Sequence, residues 1–491
     1  MENFPARLYR ARELGEMDRR AANYGLPAVQ LMARAGQAAY QAITERWPDA
    51  RRWLVYAGGG NNGGDGYVVA RLALRSNREV VVAALKPPQE GSPAAVAAAA
   101  YCEAGGQILA LSEGNPAGAD VVVDALFGTG LGRAPEGPAA EAIRAINAAA
   151  APVAALDLPS GLFADTGAAP GPTIRAELTV TFIALKLGLF TGAGPALAGQ
   201  LVFAALGVPV AVEEGLLPAA WRIEPALAAA ALPRRSRGAH KGDFGHVLIV
   251  GGDYGTGGAV RLAGEAALRT GAGLVSVLTR PEHVRPLMAA RPELMGHATF
   301  EGELPEPLAS RATVIALGPG LGQAEWGRRL WHAALALDKP AVVDADGLNL
   351  LAAEPRIRAN WVLTPHPGEA AHLLDTTIAD IENDRPAAVK RLSERYQAVA
   401  VLKGVGTMIA EPGQDAPWLC DRGNPGMASG GMGDALTGVI AGLLAQGLAP
   451  PLAARLGVWL HASAGDRAGG TTERGLLASD LIAELRGLVN P

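Results

Sequence analysis

The sequence predicts two α/β domains in tandem, each a parallel sheet with helices on both faces. Three observations carry this. The chain has 491 residues, about three times an ordinary domain. Short apolar runs ending in Gly, Pro or Asp alternate with helical patterns through both halves, as in a sheet buried on both sides. Between the halves, residues 211–241 change character: VEEGLLPAAW, an Ala-rich piece, then LPRRSRGAHKG, with Pro, clustered Arg and Gly. We therefore expect a three-layer α/β/α domain over residues 1–215, a linker with a capping helix over 216–236, and a second α/β domain over 237–491. No internal repeat relates the two halves.

In the first half, Trp53–Ala57, Val80–Leu85, Val121–Asp124 and Val153–Leu156 read as buried strands, and Gly66–Arg75, Pro93–Glu103 and Pro138–Ala148 as helices. Two further helices precede Trp53, broken at Gly25-Leu26-Pro27. The second half restarts with strands at Val247–Val250, Leu274–Thr279, Val314–Leu317, Ala341–Val343, Trp361–Thr364 and Ala398–Leu402. It ends in helices near Asp434–Ala445, Leu452–Ala468 and Ser479–Leu488.

Composition excludes several classes. A net charge of −5 leaves no basic footprint for nucleic acid, and 5% aromatic residues offer few stacking platforms. Cys102 and Cys420 lie far apart without CxxC spacing, against a disulfide framework or cysteine zinc site and in keeping with a reducing compartment. The N-terminal MENFPARLYRARELGEMDRR is charged and lacks the apolar core of a signal peptide. The best apolar stretch, Leu201–Val212, is too short for a membrane span and carries Gly207 and Pro209. A cytoplasmic protein is expected, with no nucleic-acid or membrane partner. All eight His residues lie at or after position 240, and Lys86 and Lys186 are the only lysines before it. Catalysis in the first half is therefore expected to use carboxylates, Tyr, Ser, backbone amides or a bound ion.

The densest motif is GGGNNGGDG at Gly58–Gly66, between a strand and a helix. Gly58, Gly60 and Gly63 satisfy GxGxxG, giving a Rossmann-like reading, but the second strand ends in Lys86 instead of the usual ribose-binding carboxylate. Glycines admit a ligand to the backbone, and amides at a helix N-terminus favour anions. A tight strand-to-helix turn is the alternative. Asp124 with the Phe127–Arg133 loop, and Asp157 with Ser160, follow later strands. In an open parallel sheet these groups converge beyond the carboxyl ends of the strands. Their Asn, Asp and Ser oxygens suit a hard cation, while simple turn or helix caps are the alternative for the two acids.

GGGNNGGDGYVVAR, VVDALFGTGLGR and ALDLPSGL together resemble the epimerase domain of the bifunctional NAD(P)H-hydrate repair enzymes, over roughly residues 10–215. The resemblance implies that Asn61, Asn62, Gly63, Gly64 and Asp65, the loop Gly128, Thr129, Gly130, Leu131, Gly132, Arg133 and Ala134, and Asp157 bind the hydrated dinucleotide. It further implies a potassium ion on Asn62, Asp124 and Ser160. Asp157 is the candidate acid–base group of this half.

In the second half, HKGDFGH, GGDYGTGGA and GPGLG flank strands as backbone cradles of low specificity. LKGVGT places Lys403 at a strand end beside flexible backbone, suited to a nucleotide phosphate. GNPGMASGGMGD at 423–434 runs into an apolar helix. Its free amides can cradle a transferring phosphoryl group, and Asp434 can accept a hydroxyl proton, with helix-dipole stabilisation as the plainer role. No GxxxxGK[ST] occurs, which excludes a P-loop. This arrangement is similar to the ribokinase-like superfamily. HKGDFGH, AALRTGAGLVSV, GPGLG, VVDADGLNLL, LTPHPGE, LKGVGT and GNPGMASGGMGD resemble, more narrowly, the ADP-dependent hydrate dehydratases over about residues 235–490.

That resemblance implies that Ala259, Gly320, His366 and Asp434 touch the hydrated dinucleotide, while Lys403, Gly404, Val405, Gly406, Thr407 and Gly433 hold the adenine nucleotide. Magnesium and ADP are the implied co-reactants, with Glu369 organising water around the magnesium. Relatives more often carry Ser and Thr where this chain has Asp253 and Met432. An acid at 253 near a phosphate is repulsive unless a metal or Lys241 offsets it. On residue chemistry alone His366 is equally a surface loop histidine, and His283, His297, His332 and His461 show no metal spacing.

The resemblances imply a two-step repair enzyme for NADHX and NADPHX. The first domain interconverts the R and S epimers at C6, by ring opening or an iminium. The second dehydrates the S epimer with ADP, releasing AMP and phosphate, with Asp434 taking the C6 hydroxyl proton. A homo-oligomer is expected. The residues alone also fit a small-molecule kinase fused to a nucleotide-binding domain, or a first half that only binds its dinucleotide.

Overall fold

The computed structural model describes residues 4–490, so the first three residues of the N-terminal stretch analysed for a leader, and Pro491, lie outside them. The chain forms two compact units, residues 1–221 and 222–491. In the first, seven parallel strands form one sheet: β1 (Arg52–Ala57), β2 (Glu79–Ala84), β3 (Gln107–Ala110), β4 (Val121–Ala125), β5 (Val153–Leu156), β6 (Leu178–Phe182) and β7 (Gln200–Ala204). Their order is β3-β2-β1-β4-β5-β6-β7. The order reverses between β1 and β4, which opens a crevice at their carboxyl ends. Helices α1 (Ala11–Asn23), α2 (Ala28–Arg46), α3 (Asn61–Arg75), α4 (Pro93–Glu103) and α5 (Gly137–Ala148) complete the layers. Val55, Val69, Val82 and Val123 form one core with α2–α4, and Leu54, Val122 and Ile143 another on the opposite face.

The second unit's sheet follows the order β10-β9-β8-β11-β12-β13-β14-β15-β16. Its strands are β8 (His246–Val250), β9 (Leu274–Thr279), β10 (Met295–Ala298), β11 (Val314–Leu317), β12 (Ala341–Val343), β13 (Trp361–Leu363), β14 (Val399–Leu402), β15 (Thr407–Ala410) and β16 (Trp418–Cys420). β8 to β14 are parallel; the terminal hairpin β15–β16 is antiparallel. The order again reverses at β8–β11. Helices α6 (Gly257–Thr270), α7 (Pro367–Leu374), α8 (Met432–Ala445), α9 (Pro450–Gly469) and α10 (Ala478–Leu488) recur below.

The strands expected from sequence all form, within a residue at each end. Both helices before Trp53 form as expected, α1 and α2, on either side of Gly25-Leu26-Pro27. The differences are physical. Helix α3 begins at Asn61, five residues before Gly66, because the glycine-rich motif is itself the first helical turn. β3 is short and exposed, and β6 (LTVTF) alternates Thr with apolar residues; its threonines are fully buried, Thr179 Oγ1 donating to the Ala198 carbonyl at 2.6 Å. Neither looks like a continuous apolar run. Leu201–Val212 is mostly the edge strand β7 and a turn at Val210–Glu213. Among the described residues no helix is long and apolar enough to cross a membrane. Residues 220–231 hold a short strand, Ala220–Arg222, and a six-residue helix, Ala226–Ala231.

Close backbone approach sets the position of α8. Twelve of its fourteen residues are buried, and small residues bring it against α6. A side chain at Gly438 would strike the Ala263 carbonyl, and one at Gly442 would lie 2.9 Å from the Ala267 carbonyl oxygen. Gly438→Ala is therefore expected to destabilise the second unit by about 1–3 kcal/mol through overpacking, seen as a lower urea midpoint.

Candidate active sites

Both candidate sites lie where loops leave the carboxyl ends of the strands. In the first unit a cavity of about 770 Å³ is lined by Asn61, Asn62, Asp65, Gly128–Leu131, Arg133, Ala134 and Asp157. Of the residues implied by the motifs, Gly63, Gly64 and Gly132 do not line it. A Cβ at Gly63 would strike the Gly58 carbonyl, and one at Gly64 the Met32 side chain. These two glycines let α3 sit tightly on the strand it follows and on α2.

Asp124 and Ser160 form a buried pair beneath this cavity. Ser160 Oγ donates to Asp124 Oδ1 at 2.6 Å, the Ser160 amide donates to Oδ2 at 2.8 Å, and the Leu126 amide donates to Oδ1 at 3.2 Å. Burial pushes the Asp124 carboxyl up to about 6, against the pull of the Ser160 bonds. The Asn62 side chain is buried, and neither its oxygen nor its nitrogen has a hydrogen-bond partner. The unpartnered, buried Asn62 amide oxygen is a ligand that a weakly hydrated cation would satisfy, and the Asp124 and Ser160 oxygens are of the same hard type, so the residues present fit such an ion.

Asp157 has φ +67, the left-handed region that side chains rarely adopt. Its Oδ1 pairs with the Lys186 ammonium, which is 2% exposed. Lys86 lines the same cavity, its chain packed over Gly59. Both lysines of this half thus line the cavity.

In the second unit the site centres on Lys403 at the end of β14. Its Nζ lies 2.7 Å from Asp344 Oδ1 and 3.7 Å from Glu369 Oε2. Thr437 Oγ1, from α8, donates to Asp344 Oδ2 at 2.7 Å. A Cβ at Gly433 would lie 3.4 Å from Lys403 Nζ, which brings the start of α8 onto the lysine. Asp434, one residue on, is pushed up to about 7, first by burial and then by Asp344, with Lys403 pulling the other way. Gly431 caps α8 at φ +90, where a Cβ would strike Leu262. His461 Nε2 sits 2.9 Å from the Met432 carbonyl, and burial holds its pKa down at about 4, so the neutral ring donates.

Residues 403–407 form one tight turn. Gly404 and Gly406 have positive φ, Thr407 Oγ1 donates to the Gly404 carbonyl at 2.9 Å, and the Lys403 amide donates to the Pro365 carbonyl at 2.9 Å. The last bond joins this turn to the His366 loop. His366 is exposed and caps α7: its Nδ1 accepts from the Gly368 and Glu369 amides at 3.0 and 3.2 Å. Gly320 (φ +56) accepts from Thr256 Oγ1 at 2.9 Å, which brings it to the start of α6, near Ala259.

Two family models match this chain: YjeF-related protein N-terminus over residues 28–188 and NAD(P)H-hydrate dehydratase over residues 247–486. The chain is 48% identical over 488 residues to the bifunctional NAD(P)H-hydrate repair enzyme Nnr of Coxiella burnetii, covering 99% of each. It is 48% identical over 494 residues to that of Escherichia coli, covering 100% of this chain and 95% of the relative. This chain belongs to the bifunctional NAD(P)H-hydrate repair enzymes. A ribokinase-like superfamily protein of Enterococcus faecalis matches 55% of this chain and 94% of its own at 30% identity, with a TM-score of 0.51.

For this member of the repair family, the structure adds residues that the motifs left unassigned. Asp344, inside the quoted VVDADGLNLL, follows a strand just as Asp124 and Asp157 do, and the same rule could have found it. Lys186 carried a signal in its rarity. Asp253 pairs with Arg280, whose Nε lies 2.7 Å from Asp253 Oδ1. The guanidinium stacks between Tyr254 and Trp326, at 4.5 and 4.3 Å from the ring centres. Arg280 ends β9, and no motif marks it.

Removing Lys403 strands the buried Asp344 charge. Lys403→Met is expected to cost the second unit about 3–5 kcal/mol in urea unfolding, and adding Asp344→Asn should recover most of it.

Proposed function

We propose that this chain repairs hydrated nicotinamide cofactors in two steps, epimerisation in residues 1–215 and ADP-dependent dehydration in residues 237–491. The observation that supports this most is Asp434: an acid tuned to about 7, beside the half-buried Lys403, at the helix start that follows a glycine-rich run.

Hydroxide is a poor leaving group, so dehydration needs the C6 oxygen converted into a better one. Asp434 takes the C6 hydroxyl proton as that oxygen bonds to the β-phosphorus of ADP and the bond to AMP breaks. The ring nitrogen's electron pair then expels phosphate from C6, and loss of a proton from C5 restores the C5–C6 double bond. The Gly430–Gly433 backbone meets the phosphoryl oxygens, and Lys403 with the Gly404–Thr407 turn holds the nucleotide, as Gly433 does. Ala259, Gly320 and His366 face the hydrated dinucleotide. Among the described residues no three His, Cys, Asp or Glu are grouped to hold a metal ion. Magnesium brought on the diphosphate would offset phosphoryl charge, and Glu369 would orient its water.

In the first unit, Asn61–Asp65 and Gly128–Ala134 hold the dinucleotide. Asp157 accepts the C6 hydroxyl proton as C6=O forms and the C6–N1 bond breaks, and the proton passes to N1. Reclosure on the other face of the aldehyde inverts C6. Asn62, Asp124 and Ser160 would hold potassium, whose charge favours the cofactor's phosphates.

The test supplies the full chain with mixed hydrate epimers, ADP and magnesium, and follows the near-ultraviolet absorbance of reduced cofactor. Complete conversion is expected. Conversion that stops with one epimer left removes the epimerase assignment, and a stable phosphorylated product would favour the kinase reading. Asp434→Asn should slow dehydration by about 10²–10⁴-fold. A carboxyl titrating near 7 accepts a proton only when ionised, so kcat/KM for dehydration should fall about tenfold per unit below pH 7 and level off above it. Asp157→Asn should slow epimerisation by a similar factor with hydrate binding retained, read from the R-to-S rate.

A further inference from the structure

We propose that Lys186 is the positioning residue of the first site, the one fixed cation that holds Asp157 for epimerisation. This rests on the epimerase reading of Asp157. An ammonium has three protons to donate. Lys186 spends them on Thr181 Oγ1 at 3.0 Å, the Phe182 carbonyl at 2.8 Å and Asp157 Oδ1. None is left for a substrate, so its action runs through Asp157.

The backbone is built to make that contact. Lys186 lies on a two-residue strand, Leu185–Lys186, paired in parallel with Arg7–Tyr9. Asp157 takes its left-handed conformation while its amide donates to the Val180 carbonyl at 2.7 Å. With Oδ1 held, Oδ2 faces the Gly128 loop, where a Cβ would lie 3.2 Å from it. One oxygen is anchored and the other is presented to the cavity.

Two further acids face the same lysine. Asp65 is buried in the first turn of α3, and Asp18 lies on α1, four residues after Leu14 on the cavity side. Asp157 alone pairs with the ammonium, and Asp65 and Asp18 lie close enough to feel its charge. Burial first, then the charges of Asp157 and Asp18, push the Asp65 carboxyl well above the ordinary carboxylate range, with Lys186 pulling the other way.

The test uses the full chain and the R epimer, with ADP and magnesium so that each S epimer formed appears as reduced cofactor; dehydration of the S epimer is measured separately on each variant. In Lys186→Met, kcat for epimerisation should fall about tenfold to a hundredfold with KM little changed. The acid limb of its pH profile should move to higher pH, because an acid without its cation holds its proton more tightly. Lys186→Arg should return the limb toward its original position. Thr181→Val, which keeps the ammonium but loosens it, should lower kcat severalfold and serves where Lys186→Met does not fold. An unmoved limb in folded Lys186→Met, or an unchanged kcat in Thr181→Val where that variant stands in, overturns the proposal. If Asp157→Asn epimerises normally, the acid–base reading of Asp157 itself fails. If Asp157→Asn is impaired and the lysine variants are not, only the role of Lys186 fails.

Discussion

Each unit holds a lysine, Lys186 almost out of water and Lys403 half-buried, against more carboxyl groups than it can neutralise. In the second unit Lys403 faces Asp344, Glu369 and Asp434. In the first, Lys186 faces Asp157, with Asp65 and Asp18 close enough to feel its charge. A buried cation with one acid is a structural pair. A buried cation with a surplus of acids forces some of them to keep protons, because like charges in a poorly solvated space cannot all ionise. Both catalytic candidates, Asp157 and Asp434, belong to such groups.

The parallel sheets make these groups possible. Carboxyl ends of neighbouring strands deliver Asp124 and Asp157 in the first unit, and strands on either side of β13 deliver Asp344 and Lys403 in the second, without any long-range loop ordering. Glycines then bring backbone close enough to close the site. Gly58 and Gly63 touch backbone to backbone at the start of α3, and α8 rides on α6 through Gly438. Both helices begin at a site, so tight packing below supports the position of the chemistry above.

Where a local rule is broken, a neighbour repairs it. Asp253 places an acid beside a backbone cradle, and Arg280, clamped between two aromatic rings, cancels its charge. His461 looks idle in sequence, yet its ring holds the Met432 carbonyl at the first turn of α8. His366 combines exposure with capping of α7, so its ring is held in place whatever it touches.

Periodicity and punctuation determined most of the fold: strand runs and the glycine-rich turns are local signals, and local signals survive in one dimension. The acids and the lysine that end strands, Asp124, Asp157 and Lys403, were legible for the same reason. Strand β6 was not, because its buried threonines, satisfied by the Ala198 carbonyl and by Lys186, interrupt the apolar run. The meeting of Lys186 with Asp65 and Asp18, and of Arg280 with Asp253, belonged to the tertiary structure alone. Such contacts join residues tens of positions or more apart, and their strength comes from burial, which no stretch of sequence contains.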